Sequence, residues 1–232
     1  MGELAQKMKK ILLLSYPRSG SNLVAYILQA AFGMEVRGTN ENMQVKCKPE
    51  QIINSKNCIA FKTHGHLNDL DINNYDALIF CIRDFKKCIV NHYRNDKDLT
   101  LLTNQTKGLS AFENGGNPDY LYLLNYYDLW SKDKILITYE KLTLAPNCII
   151  YKLSNFLKAY CDYDKDVLFK FYTDIDFHLQ FSLDMYKKAD HPDYSELNKK
   201  FNLDDTQNEQ FKNHLIKNDT NDLLLKYSLH YV

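Results

Sequence analysis

The seven residues from Tyr16 to Asn22, YPRSGSN, combine a guanidinium, two hydroxyls and a glycine in one short turn. Pro17 fixes the chain direction, Gly20 permits a close backbone approach, and Ser19 and Ser21 stand beside the unpaired N–H groups of a helix start. Such a turn can cradle an anion. It is not a G-x-x-x-x-G-K-[ST] loop, because Ser21 follows Gly20 directly and the charge sits earlier, on Arg18. Two further polar clusters follow apolar runs: Lys62-Thr63-His64-Gly65-His66, and Arg83-Asp84 with Asn91 two helical turns beyond. Each alone also reads as a solvated turn, a strand cap or a surface ion pair, so their shared placement is the informative signal.

The elements that must position these clusters follow from hydrophobic periodicity. Ile11 to Leu14 has the length of a buried strand, while Leu23, Tyr26, Ile27, Ala30 and Ala31 recur at helical spacing and Gly33 supplies a stop. Cys58 to Lys62 and Ala77 to Ile82 are a second and a third strand, the latter passing into a helix that carries Ile89, Val90 and Tyr93. A helix from Asp119 to Trp130 precedes a fourth strand, Lys134 to Thr138, which ends at Tyr139-Glu140. From Pro146 the chain reads as helices: Cys148 to Tyr160, Asp164 to Tyr172, Leu183 to Lys188 and a pair from Thr206 onward. The alternation of strand, charged turn and helix predicts an α/β fold, a central parallel β-sheet flanked by helices, with the polar clusters on the rim where such sheets bind ligands. Residues 34 to 56 read as a loop with one short helix at Pro49 to Ile53. Residues 95 to 118 read as a long aperiodic segment, a candidate lid.

Composition narrows the function classes. The 232 residues, 45% of them hydrophobic, suffice for one substantial core, and a single domain over 1–232 is expected. Lys plus Arg equals Asp plus Glu at 29 each, so no basic field argues for a nucleic acid or a membrane surface, and any anion site must be local. Only Arg18, Arg37, Arg83 and Arg94 are arginines, and in so lysine-biased a chain an Arg marks a place where its planar fork matters. Six cysteines form no C-x-x-C pair and read as reduced core residues, no apolar window approaches the ~18 residues of a membrane span, and a cytoplasmic location is expected.

Taken together the clusters resemble the sulfotransferases that use 3'-phosphoadenylyl sulfate (PAPS), over most of the chain. That family's donor loop, T-Y-P-K-S-G-T-T-W, is similar to Ser15 to Leu23, and its K-T-H element to Lys62-Thr63-His64. Its V-R-N-P-K-D-x-x-x-S-Y motif is similar to Ile82 to Tyr93, its F-Y-E-D-M strand end to Thr138 to Leu142, and its S-F-x-x-M-K element to the stretch from Phe181 to Lys187. The chain differs from the pattern at Leu23, where the family has an aromatic that packs on adenine, and at Asn91, where it has Ser. It also lacks an R-K-G-x-x-G-D-W counterpart near Tyr194 to Asn202.

The resemblance implies a P-loop-like nucleotide-binding architecture and in-line sulfuryl transfer from PAPS to a hydroxyl or amine, releasing adenosine 3',5'-bisphosphate. His64 would be the base, with Lys62 and Arg18 stabilising charge on the sulfuryl and bridging oxygens. Arg18, Ser19, Gly20, Ser21, Asn22, Arg83, Asn91 and Tyr139 would hold the nucleotide. The scheme requires no metal. The acceptor would be a small molecule or a glycan, with no nucleic-acid or membrane partner, and a homodimer is compatible with the reading. The competing functions are a sulfotransferase-like nucleotide-binding protein without turnover and a small P-loop-type kinase, the latter disfavoured by the missing Gly-Lys-Ser/Thr.

Overall fold

The computed structural model describes residues 8–39, 57–66, 70–92, 99–116, 118–188 and 203–229. Five parallel strands form its sheet: β1 (Lys9–Ser15), β2 (Glu35–Gly38), β3 (Cys58–Thr63), β4 (Ala77–Ile82) and β5 (Lys134–Thr138), in the order β2-β3-β1-β4-β5. β1 lies at the centre, pairing Leu13 with Lys62 of β3 on one side and with Ile79 of β4 on the other. The apolar runs become parallel strands because both sheet faces are covered, so the middle of a central strand reads as a nearly continuous apolar run. Side chains alternate between the faces at period two. Ile11, Leu13, Ala77, Ile79 and Cys81 enter one core layer, and Leu12, Leu14, Leu78, Phe80 and Ile82 enter the other.

The first layer is closed by α1 (Ser21–Phe32), α6 (Pro146–Leu157), α7 (Lys165–Thr173) and α8 (Ile175–Lys188). The second is closed by α2 (Phe85–His92), α3 (Leu99–Asn104), α4 (Tyr120–Leu129), α9 (Asp205–Asn218) and α10 (Leu223–Lys226). α5 (Tyr139–Leu144) follows β5 directly. α1 ends as its sequence foretells: Gly33 takes a left-handed φ of 60°, and the Gly33 and Met34 amides donate to the Gln29 and Leu28 carbonyls. Of the described cysteines, Cys58, Cys81, Cys88 and Cys161 are buried free thiols and Cys148 is exposed; burial pushes Cys58 up to about 12, so it stays protonated.

Three elements differ from the sequence expectation. β2 lies inside the stretch read as loop; its four residues, Glu-Val-Arg-Gly, form an edge strand in which only Val36 is buried, too little for an apolar run. The segment read as aperiodic contains α3, with Leu102 fully buried, and α8 begins at Ile175 rather than Leu183. The expected helix at Pro49 to Ile53 lies outside the described residues.

Asp119 anchors the 99–116 segment. Its carboxylate caps α4 through the Tyr122 amide at 2.8 Å and accepts the Leu109 amide at 2.6 Å, with the Lys107 and Gly108 amides contributing as well. Burial outweighs these donors and pushes the carboxyl up to about 6 from 3.8. The fold therefore holds this proton more tightly than the unfolded chain does, and the group's contribution to stability falls as pH rises from about 4 to 6, by about 3 kcal/mol. In urea denaturation, Asp119→Asn removes this dependence, so wild type loses ground to the variant on going from pH 4.5 to 6.5. A gap that widens in wild type's favour over that range contradicts the assignment.

Candidate active site

The ends of β3, β1, β4 and β5 lie side by side on the carboxyl rim, around the point where the connection leaving β1 runs toward β2 and the one leaving its neighbour β4 runs toward β5, at the opposite edge. That crevice is where ligands bind in open α/β sheets. After β1 the chain turns through Tyr16–Gly20, where Arg18 has φ 67° and Gly20 φ 85°. Gly20 precedes the first helical residue, Ser21, and no side chain caps the helix. The Leu23 and Val24 amides donate to the Gly20 carbonyl, whereas those of Gly20, Ser21 and Asn22 find no acceptor among the described residues. Ser19 is 2% exposed; its Oγ lies by the Cys88 thiol and makes no hydrogen bond of good geometry. A buried hydroxyl and three unengaged amides in one turn form a cradle that an anionic group completes.

From β3, Lys62 is 3% exposed and donates through Nζ to Asn22 Oδ1 at 2.6 Å, so the ammonium sits beside the turn. His64 follows the strand. Its Nδ1 lies 2.9 Å from Ser15 Oγ and 3.0 Å from the Ser15 carbonyl. A carbonyl only accepts, so Nδ1 carries the hydrogen, and in the neutral ring Nε2 is the basic nitrogen. His66 Nδ1 lies 3.2 Å from the Gly116 carbonyl, joining this loop to the 99–116 segment.

At the end of β4 the Arg83 guanidinium lies over the Tyr139 ring, 4.5 Å from its centroid, and Arg83 Nε is buried without a partner. The Arg83 carbonyl accepts from Tyr120 Oη at 2.9 Å. Tyr120 packs edge-on against Tyr16, which donates to Gln105, so the site floor extends to the residue following α3. Asp84 caps α2 through the Lys87 amide, and burial raises its carboxyl above the usual range. Asn91 lies in the last turn of α2, but its side chain is outside the described residues, as are Tyr93 and the stretch Tyr194 to Asn202. On the α1 flank, where Leu23 supplies no ring, Phe181 of α8 packs beside Tyr26 with 5.8 Å between centroids.

The structure thus gathers Arg18, Ser19, Gly20, Ser21, Asn22, Lys62, His64, Arg83 and Tyr139 onto four neighbouring strand ends. Ser15, which orients His64, and Glu140, which accepts the Asp84 amide at 3.1 Å, are given no role in the sequence reading. Strand register is the signal that finds them, since Leu14 pairs with Thr63 and Ile82 with Thr138, just before these contacts. Among the described residues no group of three or more His, Cys, Asp or Glu is placed to hold a metal ion.

The profile of the sulfotransferase domain matches residues 8–223, and the chain belongs to that family. Among solved structures, the mouse sulfotransferase SULT7A1 complexed with PAP is similar to this chain with a TM-score of 0.60 and 15% identity. The match covers 97% of this chain and 90% of that one, a likeness of fold. No curated protein sequence matches.

Gly20 connects the loop to Tyr139: a Cβ there would stand 2.5 Å from Tyr139 Cδ2 at a φ that L residues rarely adopt. Gly20→Ala is expected to destabilise the protein by roughly 1–3 kcal/mol, through left-handed strain and displacement of the ring. Chemical denaturation measures it, and unchanged stability would show that the contact is not maintained.

Proposed function

We propose that the chain, acting as one domain over residues 1–232, is a sulfotransferase that takes a sulfuryl group from PAPS and delivers it to a hydroxyl or amine of a small-molecule or glycan acceptor. The observation that carries this reading is the pair of buried polar atoms without partners, Ser19 Oγ and Arg83 Nε, on neighbouring strand ends. Buried donors of that kind ask for an acceptor, and a nucleotide with anionic groups at two positions supplies one to each. The solved neighbour complexed with PAP supports the same donor.

PAPS supplies an activated sulfuryl group on a phosphate leaving group. Arg18 and the Ser19–Asn22 turn hold its anionic oxygens, and Lys62, beside Asn22, neutralises charge growing on the bridging oxygen. His64, with Nδ1 held by Ser15, takes the acceptor's proton on Nε2. The bond from sulfur to the acceptor oxygen or nitrogen forms in line as the bond from sulfur to the phosphate oxygen breaks. Arg83, Asn91 and Tyr139 hold the 3'-phosphate end of the product adenosine 3',5'-bisphosphate. The buried free thiols fit a reducing compartment, and we place the enzyme in the cytosol. No described helix is long and apolar enough to cross a membrane.

His64→Ala is expected to lower transfer of radiolabelled sulfate, in a screen of hydroxylated acceptors, by ~10²–10⁴-fold with nucleotide affinity nearly intact. A variant retaining more than a tenth of wild-type rate removes His64 from the base role. Arg83→Ala is expected to weaken adenosine 3',5'-bisphosphate by roughly ten- to a hundredfold while adenosine 5'-phosphate hardly moves. Titration calorimetry reads both, and equal weakening of the two would make Arg83 a structural residue.

A further inference from the structure

The β4–β5 ladder ends with Ile82 opposite Thr138. Beyond it the parallel register continues through side chains. The next pair, Arg83 and Tyr139, meets as a guanidinium over a ring, and the pair after that, Asp84 and Glu140, meets as an amide donating to a carboxylate at 3.1 Å. The ring is in turn pressed against Gly20.

Two carboxylates therefore stand near Arg83, Asp84 next to it in the chain and Glu140 across the strand pair, yet among the described residues no ion pair engages its guanidinium. Both are occupied by backbone amides. Asp84 Oδ1 accepts the Lys87 amide at the start of α2, and Glu140 Oε1 accepts the Asp84 amide. Held there, Glu140 pins the peptide that follows Arg83, while Tyr120 Oη pins the Arg83 carbonyl from the other side. With both polar groups of the Arg83–Asp84 peptide engaged, the backbone on the carboxyl side of Arg83 is fixed, and its guanidinium lies on the face of Tyr139 with Nε unpartnered.

We propose that Glu140 is a positioning residue: its hydrogen bond to the Asp84 amide aims Arg83 and so sets the preference for a 3'-phosphorylated nucleotide. This rests on the donor reading above. Loss of the bond lets the strand end relax and frees Arg83 to pair with Asp84, which selectively weakens 3'-phosphate recognition.

The test is titration calorimetry of adenosine 3',5'-bisphosphate and adenosine 5'-phosphate against wild type, Glu140→Ala, Glu140→Gln and, in parallel, Arg83→Ala. Glu140→Ala is expected to weaken the bisphosphate about five- to tenfold and the 5'-phosphate less than about twofold, the size of one net hydrogen bond. Glu140→Gln, whose amide oxygen still accepts the Asp84 N–H, is expected to stay within about twofold of wild type for both. Should Glu140→Ala fail to fold, Glu140→Asp, whose carboxylate falls one methylene short, is read the same way. Equal weakening of both nucleotides, or a Glu140→Gln no better than Glu140→Ala, overturns the proposal. If Arg83→Ala separates the two nucleotides and Glu140→Ala does not, the positioning role alone falls. If Arg83→Ala fails to separate them, the 3'-phosphate reading itself falls, and the proposal with it.

Discussion

β1 is covered on both faces and paired on both edges, and everything at the site depends on that. A strand buried in this way can satisfy its backbone only through the ladders to β3 and β4, and its alternating leucines can be buried only if helices lie on both sides. Parallel pairing then brings the carboxyl ends of β3, β1, β4 and β5 together. Residues far apart in the chain become neighbours because the sheet has one direction.

Electrostatics at the rim follows from the same confinement. The chain has no net charge, yet Lys62 and Arg83 stand beside a turn whose amides point outward from the start of α1. The nearby carboxylates of Asp84 and Glu140 accept backbone amides, and among the described residues neither forms an ion pair with the Arg83 guanidinium. A small number of well-placed cations in a partly desolvated crevice achieves what a basic surface would do less selectively.

Much of the fold was legible because buried parallel strands are nearly continuous apolar runs and because glycine marks helix ends, as at Ile11 to Leu14, Ala77 to Ile82 and Gly33. β2 was not legible: an edge strand buries little, and Val36 alone makes no run. α3 was hidden for a related reason, since the Asn- and Thr-rich 95–118 stretch carries little apolar period, and the turn that follows α3 is held by the Asp119 carboxylate through the amides of residues 107–109 rather than by an apolar run. At the site, charged residue types announced Arg18, Lys62, His64 and Arg83. The partners that orient them, Ser15 and Glu140, are common residues whose role appears only when register sets one strand end beside another.

The pairing of β1 also sets when the site comes into existence. Its partners lie far along the chain, Lys9 opposite Cys58 and Ile11 opposite Ala77, so both ladders close long loops. Folds dominated by such distant contacts pay the loop-closure entropy before the contacts reward them, and they form slowly. The candidate site, spread over four strand ends, is therefore expected among the last features to be completed. A partly collapsed chain can hold α4 or α6 and still lack this arrangement of strand ends, which makes the assembled rim a mark of finished folding in this protein.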